Sequence, residues 1–216
     1  MNVKLIAVDM DGTFLTNNNE YDQERFTRQY EFMKEKGIHF VVASGNQYYQ
    51  LRSFFPDIHN ELAFIAENGT YIVDQGKDVF VAKLAKEDIQ TVLKVVNQYP
   101  EVEKIVGGRK SAYISKYIDE DFYNTMNFYY HRLAKVDNFD DFDDTIFKIY
   151  LHCSKDNFET ILTELKEKIG HIMTPVDCGH FGIDLIIPGI NKAHGINLLM
   201  ERWMPKQWHL EIVVMI

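Results

Sequence analysis

The feature that most constrains the fold is the stretch 5–15, which reads Leu-Ile-Ala-Val-Asp-Met-Asp-Gly-Thr-Phe-Leu. Its first four residues are apolar, mostly branched, and too few for a helix, which predicts a buried β-strand. Asp9 and Asp11 follow two positions apart, so their side chains share one face of an extended chain, and Gly12 lets the backbone turn away. The stretch therefore predicts two carboxylates at the carboxyl end of a strand, where open α/β sheets bind ligands. A strand followed by a plain acidic turn is the alternative.

Length and charge limit the possible functions. The 216 residues are 46% hydrophobic, which is enough for one large or two small domains with a buried core. The formal net charge of −9 argues against non-specific binding to nucleic acid and to anionic membranes. A phosphorylated substrate would be repelled by this charge, so its site needs a lysine or a metal ion nearby.

Segments for targeting, membrane insertion or disulfide formation are not evident in the sequence. Apolar runs are all shorter than a bilayer span, and the amino terminus reaches Asp9 before a signal-peptide core can form. We therefore expect a cytoplasmic protein. Cys153 and Cys178 lack a metal-ligand pattern and are predicted to be free thiols.

The remaining hydrophobic pattern alternates strands with amphipathic helices. Nearly continuous apolar strands separated by helices imply an α/β fold with a parallel sheet covered on both faces. Helices are predicted at 21–36, from about 47 to 55, and at 86–98, 119–130, 155–168 and 190–203. Further strands are predicted at 38–43, 63–66, 70–73, 79–84, 104–106, 112–115, 146–152, 172–176 and 181–187, and the acidic run 137–144 is predicted to be a solvated loop.

Lys192 lies in the first turn of the last predicted helix. A cation at this end opposes the helix dipole, and a surface lysine is better placed at the other end. This local conflict indicates a function for Lys192, although an ordinary surface lysine is the alternative.

Several motifs in order resemble those of one enzyme superfamily. The string Asp-x-Asp-Gly-Thr-x-Leu at 9–15 resembles the first motif of the haloacid dehalogenase superfamily of phosphotransferases. Ser-Gly-Asn at 44–46, after a strand, resembles its second motif, and Pro-Gly-Ile-Asn-Lys-Ala-His-Gly around Lys192 resembles its third. Glu-Asn-Gly at 67–69 resembles a string typical of the Cof-type subfamily. The ordered set spans the chain and is far more specific than any one motif.

The resemblance implies a Rossmann-like core with a parallel sheet, interrupted by an α+β cap domain between the second and third motifs. We expect the core to comprise residues 1–84 and 188–216 and the cap to comprise residues 85–187.

The resemblance also implies a role for each motif residue. Asp9 is expected to be the nucleophile that forms an aspartyl phosphate, and Asp11 the acid and base that serves the leaving group and then water. Lys192 is expected to offset charge on the nucleophile and the phosphoryl oxygens. Mg²⁺ is expected between Asp9, the backbone carbonyl of Asp11 and the substrate. The residues expected to bind the phosphoryl group are Asp9, Thr13, Ser44, Gly45, Asn46 and Lys192.

The substrate is expected to be a small sugar phosphate, a hexose or pentose phosphate, because the core strings are most similar to bacterial sugar-phosphate phosphatases of the Cof type. The run Tyr-Tyr-His-Arg at 129–132 offers either sugar or phosphate recognition, or aromatic helix core followed by a surface Arg132. His152, His171 and His180 lack ligand spacing. The oligomeric state is not predicted.

The chain departs from the superfamily after the helix of Lys192. The fourth motif, Gly-Asp-x-x-Asn-Asp or a variant, supplies further metal-binding carboxylates, and residues 206–216 contain Glu211 as their one acid. Reading 208–216 from the third base of each codon forces Ala from Trp-His and Asp from Met-Ile, and it permits Ala-Phe-Gly-Asp-Ser-Gly-Asn-Asp. We therefore expect a frameshifted, truncated core after about residue 207, and an unrelated short tail is the alternative.

Three functions remain open at this point. The first is a Mg²⁺-dependent sugar-phosphate phosphatase, weakened by the missing motif. A phosphomutase that uses the same aspartyl phosphate is the second. The third is an inactive protein that binds a phosphorylated ligand.

Overall fold

The computed structural model describes residues 3–140, 143–204 and 211–215, the last five as backbone only. The chain forms two compact units, one from Met1–Phe80 and Asn191–Ile216 and the other from Val81–Ile190. The strands are β1 Val3–Val8, β2 His39–Ala43, β3 Ala63–Ala66, β4 Tyr71–Asp74, β5 Lys77–Val81, β6 Glu103–Gly108, β7 Ala112–Ser115, β8 Leu133–Val136, β9 Ile146–His152, β10 Thr174–Gly179, β11 Gly182–Ile186 and β12 Glu211–Met215. The helices are α1 Gln23–Glu35, α2 Tyr48–Ser53, α3 Lys86–Val96, α4 Glu120–Tyr129, α5 Phe158–Ile169 and α6 Lys192–Trp203.

The first unit is built on a sheet with the strand order β12-β1-β2-β3-β4-β5. The pairs β12–β1, β1–β2 and β2–β3 are parallel, whereas β3 and β4 are antiparallel. The predicted parallel sheet is therefore confirmed for the strands around β1. Since β1, β2 and β3 run in the same direction, the segments that follow them leave from the same edge of the sheet.

Both faces of this sheet are covered, as the apolar strands predict. Ile196 and Leu199 of α6 pack on the face that includes Val41. Phe40, the next residue along β2, points to the opposite face and contacts Phe26 of α1. The aromatic cluster on that face consists of Phe14, Tyr21, Phe26, Phe40 and Phe55.

The second unit has its own sheet, with the strand order β10-β11-β9-β6-β7-β8. Its pairs are antiparallel apart from β7–β8. Leu93 of α3 and Leu165 of α5 belong to the same buried cluster as Ile149 of β9. Met126 of α4 packs in a separate cluster with Ile105 and Ile114. The unit is thus an α+β body with its own hydrophobic core.

Two strands were not assigned from the sequence. Leu133–Val136 has four residues, none of them fully buried, and so carries little hydrophobic signal. Glu211–Met215 falls in the segment interpreted above as a frameshifted or unrelated tail, yet its backbone pairs in parallel with β1, and Met215 is in register with Val8. Between residues 3 and 204, outside 141–142, no helix is long and apolar enough to span a bilayer.

Candidate active site

Asp9 and Asp11 lie at the carboxyl end of β1, as the sequence predicts. The chain leaves β1 in an irregular turn, Met10–Phe14, in which Gly12 has φ +69°. Oδ1 of Asp9 accepts a hydrogen bond from the backbone N–H of Met10 at 2.8 Å, and the carbonyl oxygen of Asp9 accepts one from Phe14 at 3.2 Å. These bonds fix the orientation of the Asp9 carboxylate, while Asp11 is exposed.

Lys192 pairs with Asp9 across 183 residues of chain. Its Nζ lies 2.8 Å from Oδ2 of Asp9, with the two side chains 34% and 24% exposed, so the pair remains accessible. Asn191 caps α6, since its Oδ1 accepts a hydrogen bond from the N–H of His194 at 2.9 Å. The Asp9 carboxylate, which follows β1, therefore compensates the unfavourable interaction between the Lys192 charge and the dipole of α6.

The segment after β2 brings Ser44 and Asn46 to the same edge. Ser44 is buried, with 1% of its surface exposed, and its Oγ accepts a hydrogen bond from the N–H of Asn46 at 3.1 Å. Nδ2 of Asn46 donates to Oδ2 of Asp11 at 2.8 Å. Asn46 is also among the residues expected to bind the phosphoryl group, and that expectation stays a prediction.

Gly45 and Thr13 complete the set of predicted site residues. A Cβ added at Gly45 would lie 3.0 Å from Oδ1 of Asn68, so the absence of a side chain lets the two loops approach closely. Thr13 is exposed, two residues beyond Asp11 in the same turn. The structure therefore gathers Asp9, Asp11, Asn46 and Lys192 through direct contacts, with Ser44 and Gly45 beside them.

One contributor was missed by the sequence analysis, namely the turn Glu67–Gly69. The backbone N–H of Glu67 donates to the carbonyl of Asn46, and that of Asn68 donates to the carbonyl of Ser44, each at 3.1 Å. The Glu-Asn-Gly string was visible in the sequence, but its contacts depend on two loops meeting in space. The sequence therefore revealed the Glu-Asn-Gly string but not the contacts that the string makes in the site.

Comparison with known proteins identifies the family. The profile of haloacid dehalogenase-like hydrolases matches residues 6–210. The chain belongs to this family. This hydrolase is 51% identical over 203 residues, 94% of its own length and 75% of the relative's, to the Escherichia coli protein YbjI, a 5-amino-6-(5-phospho-D-ribitylamino)uracil phosphatase. At this level of similarity the enzyme class is shared, and the hydrolase is a phosphoric monoester hydrolase.

Solved structures agree with the fold. The crystal structure of SMU.1108c from Streptococcus mutans superimposes with a TM-score of 0.87 at 32% identity, covering 97% of this chain and 80% of that one. TM0651 from Thermotoga maritima gives a TM-score of 0.80 at 16% identity, covering 98% and 79% of the two chains, and so supports the fold alone.

The donor atoms of the site fit a magnesium ion. Asp9 and Asp11 offer hard oxygen ligands, and each oxygen of the Asp9 carboxylate keeps a lone pair beyond its one hydrogen bond. Across the parts of the chain that the structure describes, no cluster of three or more His, Cys, Asp or Glu residues could hold a metal ion. Two carboxylates are a donor set that suits Mg²⁺, which typically keeps several waters and binds through one or two carboxylates and the substrate phosphate.

The end of β12 bears on the missing fourth motif. Because β12 is parallel to β1 and Met215 is in register with Val8, β12 ends next to the end of β1, which Asp9 follows directly. This is the edge where the resemblance expects further carboxylates. The frameshift prediction concerns residues 208–216. Of these, 208–210 and 216 lie outside the described part of the hydrolase, and only the backbone of 211–215 is described.

Predictions for the other polar and aromatic residues had mixed outcomes. Tyr130 is buried in the cluster with Met126, as a core residue should be, but Tyr129 is 47% exposed, so the core prediction is wrong for it. Arg132 is on the surface, as predicted. Cys153 and Cys178 are both described and both free, which confirms the prediction of two thiols.

The second unit contains a buried pair of opposite charges. Nζ of Lys148 on β9 lies 3.6 Å from Oδ2 of Asp184 on the neighbouring strand β11, with side chains 5% and 9% exposed. Cys178 is an exposed residue of the adjacent strand β10, and desolvation of its thiol, with a smaller contribution from Asp184, raises the thiol pKa above its ordinary value. That thiol therefore stays protonated at neutral pH and does not resemble a nucleophile.

Proposed function

We propose that this hydrolase is a Mg²⁺-dependent phosphatase that cleaves small sugar or polyol phosphates through a phosphoryl-enzyme intermediate on Asp9. The observation that carries the proposal is the 2.8 Å contact between Lys192 and Asp9 at the carboxyl end of β1. This contact supports the proposal because a cation and a carboxylate this close could act on one phosphoryl group, as phosphoryl transfer requires.

In the first step, a carboxylate oxygen of Asp9 attacks phosphorus and the bond from phosphorus to the ester oxygen breaks. Asp11, protonated for this step, gives its proton to the departing alkoxide. In the second step, Asp11 accepts a proton from a water molecule that attacks the phosphorus of phosphoryl-Asp9. This step releases inorganic phosphate and restores the Asp9 carboxylate.

Charge builds up on the oxygens of the transferring group during both steps. The Lys192 ammonium offsets this charge, and the Ser44 hydroxyl donates a hydrogen bond to it. The amide of Asn46 holds Asp11 in position through the 2.8 Å hydrogen bond. These groups provide local positive charge and hydrogen-bond donors for the phosphoryl group, in a chain whose net charge is −9.

Asp9 and the backbone carbonyl of Asp11 are the groups that would hold Mg²⁺. When bound, the ion supplies positive charge to the phosphoryl oxygens and so reduces repulsion between substrate and nucleophile.

The proposed substrate class rests on the sequence-based expectation of a small sugar phosphate and on the E. coli relative. A phosphate ester at the end of a five-carbon polyol chain is chemically similar to the pentose phosphates expected from the sequence. The E. coli protein named above is a phosphatase for a phosphorylated ribitylaminouracil. We therefore propose 5-amino-6-(5-phospho-D-ribitylamino)uracil as the first compound to test, ahead of pentose and hexose phosphates.

We also propose that the second unit is the cap domain of this hydrolase. Its limits, Val81 and Ile190, are close to the predicted limits of 85 and 187. The unit is inserted between the first and last parts of the first unit, between the second and third motifs, as the resemblance implies.

The test of this function is phosphate release from a panel that contains the ribityl compound, pentose and hexose phosphates, and p-nitrophenyl phosphate. We expect release that needs Mg²⁺, stops with a chelator, and is fastest with a phosphorylated sugar or polyol. An isomerised ester with no free phosphate would indicate a phosphomutase. Binding of inorganic phosphate without turnover of any compound would contradict the proposal and indicate a protein that only binds phosphorylated ligands.

A further inference from the structure

The turn Glu67–Gly69 has an unusual backbone. Three consecutive residues lie in the left-handed region, with φ values of +50° for Glu67, +59° for Asn68 and +98° for Gly69. Residues other than glycine rarely adopt such angles, and a run of three needs support from its surroundings. The side chains of Glu67 and Thr70 are buried, and Oγ1 of Thr70 donates to the carbonyl of Glu67 at 2.8 Å. The turn is therefore a rigid feature.

On one side, this turn holds the loop that follows β2. The N–H groups of Glu67 and Asn68 donate to the carbonyls of Asn46 and Ser44, both at 3.1 Å. Asn46 in turn donates to Asp11. A shift of the turn therefore moves the side chain that orients Asp11.

On the other side, the turn touches the start of α6. A Cβ built on Gly69 would lie 2.3 Å from the carbonyl oxygen of Asn191 and 2.7 Å from its carbonyl carbon, which is far inside contact distance. The carbonyl oxygen of Asn191 accepts a hydrogen bond from the N–H of Gly195 at 3.2 Å. Lys192 directly follows Asn191 in the chain. The position of Gly69 therefore sets how closely the Lys192 end of α6 approaches the site.

We propose that Glu67–Gly69 is a positioning element that fixes the two halves of the site relative to each other, with Asn46 and Asp11 on one side and Lys192 and Asp9 on the other. The proposal rests on the proposed function for the role of those four residues. The turn acts through its contacts with the backbone of Ser44 and Asn46 on one side and of Asn191 on the other.

The decisive variant is Gly69→Ala, because an added methyl group must displace Asn191 and with it Lys192. A misplacement of about 1 Å at a reacting group typically costs about a hundredfold in rate. We therefore expect kcat for p-nitrophenyl phosphate to fall by about a hundredfold, with a much smaller change in KM.

Gly37→Ala is the matched control. Gly37 has φ +62° and belongs to the same unit, and an added Cβ there would meet nothing within 4 Å. Both variants therefore carry the strain of a left-handed alanine, but Gly69→Ala alone pushes on the site. Equal losses of kcat in the two variants would overturn the proposal, because the effect would then be general strain.

Combining Gly69→Ala with Lys192→Ala distinguishes an effect on the position of Lys192 from a general loss of structure. If Gly69 acts through Lys192, the penalty of Gly69→Ala on kcat must shrink when Lys192 is already alanine. We expect the penalty to be at least about tenfold smaller in the Lys192→Ala background than in the parent. The same penalty in both backgrounds would mean that Gly69 does not act through Lys192.

A milder pair of variants serves if Gly69→Ala does not fold. Asn68 and the exposed Asn19 have φ values of +59° and +57°, so Asn68→Ala and Asn19→Ala impose the same backbone strain. We expect kcat to fall several-fold with Asn68→Ala and not with Asn19→Ala. Equal activity of the two variants would contradict the proposal.

A measurement that needs no turnover separates this proposal from the proposed function. After reductive ¹³C-methylation of the lysines, the Lys192 methyl resonance, assigned with Lys192→Arg, reports on its contact with Asp9. We expect Gly69→Ala to move this resonance towards its position in Asp9→Asn and Gly37→Ala to leave it in place. An unmoved resonance in Gly69→Ala would overturn the positioning role even in an active enzyme, whereas a shifted one in an enzyme without phosphatase activity would refute only the proposed function.

Discussion

Two Lys–Asp pairs of the hydrolase, Lys192–Asp9 in the first unit and Lys148–Asp184 in the second, differ in almost every respect. Lys192 and Asp9 meet at 2.8 Å, from the start of a helix and the end of a strand, and both remain partly exposed. Lys148 and Asp184 lie 3.6 Å apart on neighbouring strands of a sheet, and both are nearly fully buried. Nζ of Lys148 also lies 5.8 Å from the ring centroid of Tyr130.

The difference shows which pair is suited to chemistry. A pair at the ends of two elements can admit a phosphoryl group between or beside its members, because part of each charge faces solvent. A pair on the face of a sheet is reached only by displacing the residues that cover it. Removing one member of a buried pair leaves an uncompensated charge, so such a pair chiefly affects stability. The comparison therefore predicts that the exposed pair governs turnover and the buried pair governs folding.

The largest effect is expected from Asp9→Asn. The amide keeps the shape of the carboxylate but is a very poor nucleophile, so kcat should fall by about a thousandfold or more. Phosphate release from p-nitrophenyl phosphate measures the loss. The matched control is Asp184→Asn, the same change in the buried pair, which should lower kcat by less than about threefold once the folded fraction is taken into account. Similar losses in both variants would remove the distinction between the pairs.

Lys148→Met should affect stability rather than rate. It leaves Asp184 buried without its ammonium partner, so the free energy of unfolding should fall by about 3–5 kcal/mol, while the folded fraction keeps its kcat. Urea denaturation measures the loss. The double variant Lys148→Met/Asp184→Leu removes both charges and should recover much of the stability. A Lys148→Met protein as stable as the parent would show that the buried pair does little for folding.

Lys192→Met should, in contrast to Lys148→Met, lower the rate and change stability little. The loss of the ammonium removes charge stabilisation from the transferring group, and we expect kcat to fall by about a hundredfold with a small change in the urea midpoint, because the pair is partly solvated. Lys192→Arg tests geometry at constant charge, and we expect it to restore activity only in part. Full activity in Lys192→Met would contradict the assignment.

A smaller effect is expected from Asn46→Ala. This variant removes the hydrogen bond to Asp11 and leaves Asp11 itself in place, so kcat should fall by about tenfold. Thr13→Ala is a useful comparison, because Thr13 lies in the same turn as Asp11. This variant tests the prediction that Thr13 binds the phosphoryl group. Parent-like activity in Asn46→Ala would show that the contact does not orient Asp11 during turnover.

The smallest effect concerns pH. His39 stacks on Trp203 with ring centroids 4.0 Å apart, and burial lowers the pKa of His39 although Asp74 opposes the shift. The unfolded chain therefore binds a proton near pH 6.5 more readily than the folded one, so stability should decrease as the pH falls from about 6.5 towards the lowered native pKa. His39→Phe keeps the stacking without the titration. Urea midpoints of the two proteins at pH 7.5 and 5.5 should show a smaller pH dependence in the variant, and equal dependence would contradict the prediction.

Local signals made much of the fold predictable. The apolar run before Asp9 predicts β1, and the cap residues Asp22 and Asp119 mark the starts of α1 and α4. The pairing of Lys192 with Asp9 was implied by the resemblance, and the lysine's conflict with the helix dipole indicated a function for it without naming a partner. In each case the decisive information lies within a few residues of chain, or in a motif that repeats across a superfamily.

Features that depend on distant segments were not predictable. The hydrogen bond from Asn46 to Asp11 depends on the direction of two side chains after different strands. The role of the Glu67–Gly69 turn depends on how close α6 comes to it. Tyr129 continues an aromatic helix pattern, yet its side chain is exposed, whereas the next residue, Tyr130, is buried in the cluster with Met126.

The most direct test of the account is to trap the phosphoryl-enzyme during turnover. The hydrolase would be mixed with Mg²⁺ and a ³²P-labelled sugar phosphate, quenched in acid at a series of times, digested and mapped. We expect a hydroxylamine-sensitive label on the peptide that contains Asp9, formed in Lys148→Met and absent from Asp9→Asn. Turnover with no label at any time, or a label on another residue, would contradict it.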